Sequence, residues 1–257
     1  MLRNFVRNLL WALGYDIQRK PAFGYRTLDR IRPGHLTEFE SDLWFHDLYE
    51  RAQKKTSMDA TDNQLRRQRH YTLNYLLHNA LYQVEGDVCE VGCWRGLSTY
   101  QIACRVKESG ISKSVHVFDS FEGLSEFGPE DLENNENLDI DSLRSQLSYP
   151  LSAVAANLSE FEFIKYYPGW VPQKFPEVLG REFCFVHVDV DLYQPIKDSF
   201  MFFYPLLAPG GIMVFDDYGV SSFPGAKKAV DEVLSTLDQP MFVPLPSGQA
   251  FLLKNKR

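Results

Sequence analysis

From Gly86 onward the chain repeats one pattern. A short β-branched or aromatic run stops at a glycine or an acid, and a stretch with apolar residues at helical spacing follows. Val88-Cys89-Glu90-Val91 stops at Gly92, Val115-His116-Val117-Phe118 at Asp119, Phe183 to Val188 at Asp189, and Ile212 to Phe215 at Asp216, while Phe161 to Tyr166 precedes Pro168-Gly169. The spacers include 97–107, 194–207 and 225–237. Strands alternating with helices in this way predict an α/β fold with a doubly wound, mostly parallel sheet. A last pair of runs, Met241–Leu245 and Ala250–Lys254, is separated by Pro246-Ser247-Gly248-Gln249 and reads as a terminal antiparallel hairpin, giving seven strands.

Ahead of this region the pattern differs. Leu2, Phe5, Val6, Leu9, Leu10 and Leu13 form the stripe of an amphipathic helix stopped by Gly14, a helix suited to a membrane surface, a dimer contact or its own domain. Residues 21–62 are mixed and punctuated by Pro and Gly, with an aromatic cluster at Trp44, Phe45 and Tyr49. A helix is predicted over 63–82, with Leu65, Leu73, Leu76, Leu77, Ala80 and Leu81 on one face. The expected organisation is an N-terminal helical extension over 1–62 and a catalytic domain over 63–257.

Composition excludes several function classes. The net charge of −7 leaves no electrostatic footprint for nucleic acid. Cys89, Cys93, Cys104 and Cys184 lack the paired spacing of a zinc site and read as small buried hydrophobes in a reducing compartment. No apolar run approaches the ~18 residues of a membrane span, and no cleavage site follows the apolar patch at 9–13, so a cytoplasmic location is expected.

The chemistry belongs at the carboxyl ends of the strands, where open α/β sheets bind ligands. The first strand ends in Glu90-Val91-Gly92-Cys93-Trp94-Arg95-Gly96, a turn whose glycines admit close approach of a ligand to the backbone. It has two glycines and a bulky Trp94 where a pyrophosphate loop has three glycines, which favours a ligand without a diphosphate. Asp119, followed by Ser120, ends the next strand. An Asp there alone more often caps a turn, but one strand after the Gly92 loop it suits the ribose hydroxyls of an adenosine.

The fourth strand runs Phe185-Val186-His187-Val188-Asp189-Val190-Asp191, placing His187, Asp189 and a continuing Asp191 on one side, and the fifth ends in Asp216-Asp217. Carboxylates so placed repel one another unless a hard divalent cation sits between them, which points to Mg²⁺, or to Ca²⁺ or Mn²⁺. Either acid pair alone could be a cap or chance, and Asp189-Val190-Asp191 alone could be the Asp-x-Asp motif of a sugar-nucleotide glycosyltransferase. His187 reads first as a core residue behind the acids.

Five ordered motifs now stand together: Gly86-Asp-Val-Cys-Glu90-Val-Gly92-Cys-Trp-Arg-Gly96, Asp119-Ser-Phe-Glu-Gly-Leu, Pro168-Gly169-Trp170-Val-Pro172, Asp189-Val-Asp191-Leu-Tyr193 with Tyr204-Pro-Leu-Leu-Ala-Pro-Gly-Gly211, and Asp216-Asp217-Tyr-Gly219. With these, from about residue 60 onward, the chain resembles the class I S-adenosylmethionine-dependent methyltransferases, and within them the macrocin O-methyltransferase (TylF) family. The resemblance implies a Rossmann-like sheet and S-adenosylmethionine bound by Glu90, Gly92, Cys93, Trp94, Arg95, Gly96, Asp119, Ser120, Gly169 and Trp170. It implies Mg²⁺ held by Asp189, Asp216 and Asp217. The base is Asp189, with His187 and Asp191 as the other candidates, because His187-Val-Asp189-Val-Asp191 stands where the macrolide enzymes tend to have Asp-Gly-Asp. The implied acceptor is a sugar or glycan hydroxyl, and a homodimer is expected.

Charge is divided along the chain. Residues 1–70 hold 13 Lys and Arg against 9 Asp and Glu, whereas Glu126 to Asp141 has seven acids and no base. That run is expected to be a solvated, mobile flap near the mouth of the site.

Overall fold

The computed structural model describes residues 37–58, 62–133 and 139–255. The amphipathic segment over 2–13 lies outside them, as does the middle of the acidic run. The chain divides into two compact units, Met1–Ser41 and Asp42–Arg257. In the first, Glu38–Ser41 forms a single helical turn. In the second, α1 (Leu43–Thr56) and α2 (Gln64–Gln83) precede the sheet.

The sheet has seven strands: β1 (Asp87–Val91), β2 (Val115–Asp119), β3 (Ile164–Pro168), β4 (Phe183–Val188), β5 (Leu207–Phe215), β6 (Met241–Pro244) and β7 (Ala250–Leu253). Their order is β3-β2-β1-β4-β5-β7-β6. The first five strands in that order pair in parallel, and β7 pairs antiparallel with both β5 and β6, so the predicted terminal hairpin closes one edge. The connecting helices are α3 (Leu97–Ser109), α4 (Ile140–Gln146), α5 (Leu151–Asn157), α6 (Tyr193–Leu206) and α7 (Pro224–Leu234). Helices α1 and α2 pack on α3, with α2 also against β4 and β5; α6 packs on β4, β5 and α7.

Burial explains why the strands are so visible in the sequence. Every residue of β4 is buried, as a strand with covered faces must be, so it reads as an apolar run broken by His187 alone. Phe118, Phe175, Phe183 and Phe203 pack edge to face in the main core. Two strand starts and one burial differ from expectation. β3 starts at Ile164, because Phe161 to Phe163 turn into it. β5 begins five residues early, at Leu207, because Ala208-Pro-Gly-Gly211 runs along the sheet with Gly210 N–H donating to Lys254 O. Leu65 is exposed rather than on the buried face of α2.

The acidic run also departs from a solvated flap. Asp131 is buried, accepting from Tyr193 N–H at the start of α6 (2.8 Å) and from Gly128 N–H (2.9 Å), while Glu130 meets Lys228 at 3.4 Å. A carboxylate that caps the first turn of a helix is worth burying, and charge density alone does not reveal which acid in a run has that task. Among the described residues no helix is long and apolar enough to cross a membrane.

Candidate active site

The order β2-β1-β4 reverses the direction in which the strands are laid down, and the crevice at that reversal opens at their carboxyl ends. A cavity of about 400 Å³ occupies it. Gly92, Cys93, Trp94, Arg95, Asp119, Ser120, Trp170, His187, Asp189, Asp191, Asp216 and Asp217 all line it, so the cofactor motifs and the acids share one space.

The Gly92 turn is wired to both neighbouring strands. Gly92 N–H donates to Phe118 O (2.8 Å), and Gly92 has φ +87°, where a Cβ would lie 1.8 Å from the Asp189 carbonyl oxygen. Only glycine lets β1 and β4 close here. Asp119 grips the same turn: Oδ2 accepts from Cys93 N–H (2.7 Å) and Trp94 N–H (3.0 Å), and Oδ1 from Phe121 N–H (2.7 Å). Trp94, Phe121 and Asp191 all take left-handed backbone without being glycine, a strain concentrated at this rim.

Not every expected residue faces the cavity. Glu90 is fully buried beneath it, accepting from Thr99 Oγ1 (2.5 Å) and lying 3.0 Å from His187 Nδ1. Gly96 starts α3 in left-handed conformation, and Gly169 N–H donates to Asp119 O (3.0 Å); neither is among the lining residues. Asp191 lies beyond the end of β4 and reaches the cavity from a turn rather than by strand alternation.

The acids are arranged around a cation that the sequence does not disclose. Arg69, from α2, bonds through Nη2 to Asp216 Oδ2, to Asp216 O (2.7 Å) and to Asp217 Oδ1 (3.1 Å). Gln249 Nε2 donates to Asp216 Oδ1 at 2.6 Å. Burial disfavours the Asp216 charge, but Arg69, His187 and Gln249 together hold this carboxyl well below the usual range. Asp189 is pushed up by burial and by Asp216, Asp191 by burial and by Asp217, and Asp217 by burial and by Asp189. His187 is disfavoured as a cation by burial, yet Asp216 and Glu90 raise it to about 10.

A divalent cation fits this arrangement. Four carboxylates meet one arginine and one imidazole, and Asp217 Oδ2 is buried without a partner. His187, Asp189 and Asp216 each bring a ligand atom within 4.8 Å of the others. Glu90 supports His187 Nδ1 as carboxylates support metal-ligating imidazoles, while Nε2 has Asp216 Oδ1 at 3.5 Å and no hydrogen bond. Asp217 stands next to this group, turned to Arg69.

Helix α2 forms the facing wall. Arg66, Arg69, His70 and Leu73, one stripe of the helix, line the cavity. No motif marks these residues in the sequence. The available signal was the stripe itself, which the apolar reading of α2 passed over.

Comparison with known proteins bears on the fold and the family. The chain is similar to the O-methyltransferase NovP, with a TM-score of 0.64 and 22% identity over 73% of this chain and 79% of that one. It is also similar to the calicheamicin methyltransferase CalS11, with a TM-score of 0.61 and 19% identity over 85% and 94%. At these identities the likeness concerns the fold. In sequence it is 29% identical over 156 residues to the 8-demethyl-8-(2,3-dimethoxy-alpha-L-rhamnosyl)-tetracenomycin-C 4'-O-methyltransferase of Streptomyces olivaceus, covering 58% of this chain and 60% of that protein. It is 27% identical over 168 residues to the mycinamicin III 3''-O-methyltransferase of Micromonospora griseorubida, covering 62% and 65%. The match thus spans about 60–65% of the length of these curated relatives. The family model of macrocin O-methyltransferase (TylF) matches residues 30–241, most of the chain, and the chain belongs to that family.

Proposed function

We propose that this protein is a metal-dependent O-methyltransferase that moves a methyl group from S-adenosylmethionine to a hydroxyl of a sugar or glycosylated acceptor. The supporting observation is that Gly92 to Arg95, Asp119 and the acids at the ends of β4 and β5 line one cavity, opposite an arginine-bearing helix. S-adenosylmethionine would supply the methyl on a sulfonium, and Mg²⁺ would make an adjacent hydroxyl more acidic.

The chain's residues do the rest. The Gly92 turn and Asp119, whose oxygens retain free lone pairs, hold the methionine and ribose portions, with Trp94, Arg95, Ser120 and Trp170 around them. Gly169 and Gly96 shape the backbone, and Glu90 fixes His187. Asp189, Asp216 and Asp217 hold the metal, with His187 beside them. Asp189 removes the hydroxyl proton as the C–S bond breaks and the C–O bond forms. The reaction occurs in the cytoplasm. Association into a homodimer, or with a membrane surface, runs through the N-terminal region; deleting residues 1–20 and measuring mass in solution tests the dimer, and an unchanged dimer would exclude that contact.

Calorimetric titration with S-adenosylmethionine and S-adenosylhomocysteine tests the cofactor, and binding of neither would refute the function. Asp189→Asn is expected to lower kcat at least 10²-fold while leaving cofactor affinity nearly unchanged. A chelator should abolish turnover; full activity in its presence would remove the metal. The glycosyltransferase alternative loses ground to the family membership and to the turn that takes Asp191 out of the strand.

A further inference from the structure

Helix α2 brings to the cavity a polar group that the reaction above leaves unused. His70 lines the cavity and packs edge-on against Tyr49, with ring centroids 5.3 Å apart. Two amides behind it dictate where its proton sits. Asn74 Nδ2 donates to His70 O (2.9 Å) and to Gln101 Oε1 (2.9 Å), and Gln101 Nε2 donates to Leu97 O (3.0 Å). Each amide is therefore anchored on a backbone carbonyl, which only accepts, so neither can be turned end for end.

The NH₂ of Gln101 consequently faces His70 Nδ1, at 3.0 Å. Nδ1 must be the acceptor, and the proton of the neutral ring sits on Nε2. An imidazolium would set two N–H groups head to head. Burial works in the same direction, pushing His70 down to about 3. Asn74 Oδ1 is left buried without a partner, so the amide pair is retained at a cost, as expected of groups that serve to orient a neighbour.

Among the described residues the Nε2–H of His70 has no hydrogen-bond partner. It belongs to the same cavity as Asp189, Asp191, Asp216 and Asp217. The lining sets Asp119, Asp189, Asp191, Asp216 and Asp217 against Arg66, Arg69 and Arg95, with Arg69 already committed to Asp216 and Asp217, so the balance disfavours a carboxylate or phosphate here and leaves a neutral oxygen. We propose that His70 binds the acceptor, donating its Nε2–H to a neutral hydroxyl oxygen of the sugar, with Asn74 and Gln101 as positioning residues that hold its tautomer. This rests on the methyltransferase reading above.

The test has a readout that needs no substrate. In the full chain labelled with ¹⁵N-histidine, His70, identified by loss of its signals in His70→Phe, is expected to show a bare Nδ1 and a protonated Nε2 at neutral pH. Gln101→Met should mix the two tautomers. With methyl α-L-rhamnoside, a neutral sugar, as acceptor, His70→Phe, which keeps a ring against Tyr49, should raise the acceptor KM roughly tenfold and leave the KM of S-adenosylmethionine unchanged. His70→Gln, which returns an N–H near the Nε2 position, should recover most of that loss. A protonated Nδ1 in the wild type, or an acceptor KM unmoved in His70→Phe, would overturn the proposal. If His70→Phe does not fold, His70→Gln supplies the assignment, and a protonated Nδ1 in the wild type still overturns the proposal. Failure of the wild type to bind S-adenosylhomocysteine would overturn the methyltransferase reading instead, and leave the tautomer result standing.

Discussion

Arg69 is the residue on which the acid cluster depends. Among the described residues it alone contacts both Asp216 and Asp217 with a full positive charge, and breaking a buried ion pair strands the charge that remains. Arg69→Met is expected to lower Tm in the absence of metal and to enlarge the rise in Tm that Mg²⁺ gives, because the ion no longer competes with a resident cation. Scanning calorimetry with and without Mg²⁺ checks this, and an equal rise in both proteins would disprove it. A second residue makes a pH argument at the other end of the sheet. Asp87 is disfavoured by burial, but His116, Ser114 N–H and Arg181 bring it down to about 2 from an ordinary 3.8. A lowered carboxyl contributes stability above its ordinary pKa and loses it as pH falls from about 4 through 2. Asp87→Asn should therefore flatten the acid limb of the stability curve by about 1–2 kcal/mol, measured by urea unfolding at pH 7 and pH 2.5. Asp189, Asp216 and Asp217 were legible because each ends a run that buries itself. Arg69 and His70 were not, since they lie over a hundred residues from the acids in the chain and no local spacing connects them.

At the scale of elements, legibility followed burial. The strands declared themselves through their apolar runs, while α1 hid within a mixed segment because only one side of it, with Phe45, Leu48, Tyr49 and Ala52, is buried. Its start is marked by a signal that could have been read: Asp42 caps it by accepting from Phe45 N–H at 2.9 Å. Asn63 does the same for α2, accepting from Arg66 N–H at 2.9 Å one turn before the cavity stripe. Asn63→Ala should cost about 1 kcal/mol, seen in thermal unfolding. The loop bearing Asp131 is tied to α6 by one side chain, and Asp131→Ala should cost about 1–3 kcal/mol because Tyr193 N–H loses its acceptor; an unchanged urea midpoint would show that water replaces the carboxylate.

At the scale of the molecule, the sheet divides labour between its faces and its ends. The aromatic core holds the strands together, the carboxyl ends carry the chemistry, and the amino ends carry the Asp87–His116–Arg181 cluster. The unit from Asp42 to Arg257 contains this whole arrangement, so a chain trimmed to begin at Asp42 should melt in a single cooperative transition; two transitions, or none, in circular dichroism would count against it. The wall formed by α2 carries a different consequence. Its four cavity positions, Arg66 to Leu73, sit on about two turns of a helix that supplies no strand, no glycine turn and no acid to the opposite side. Arg69 is held by the acids, which leaves Arg66, His70 and Leu73: the character of this wall could drift in nature, or be rewritten in the laboratory, through three codons while the strand-end acids and the Gly92 turn are inherited unchanged.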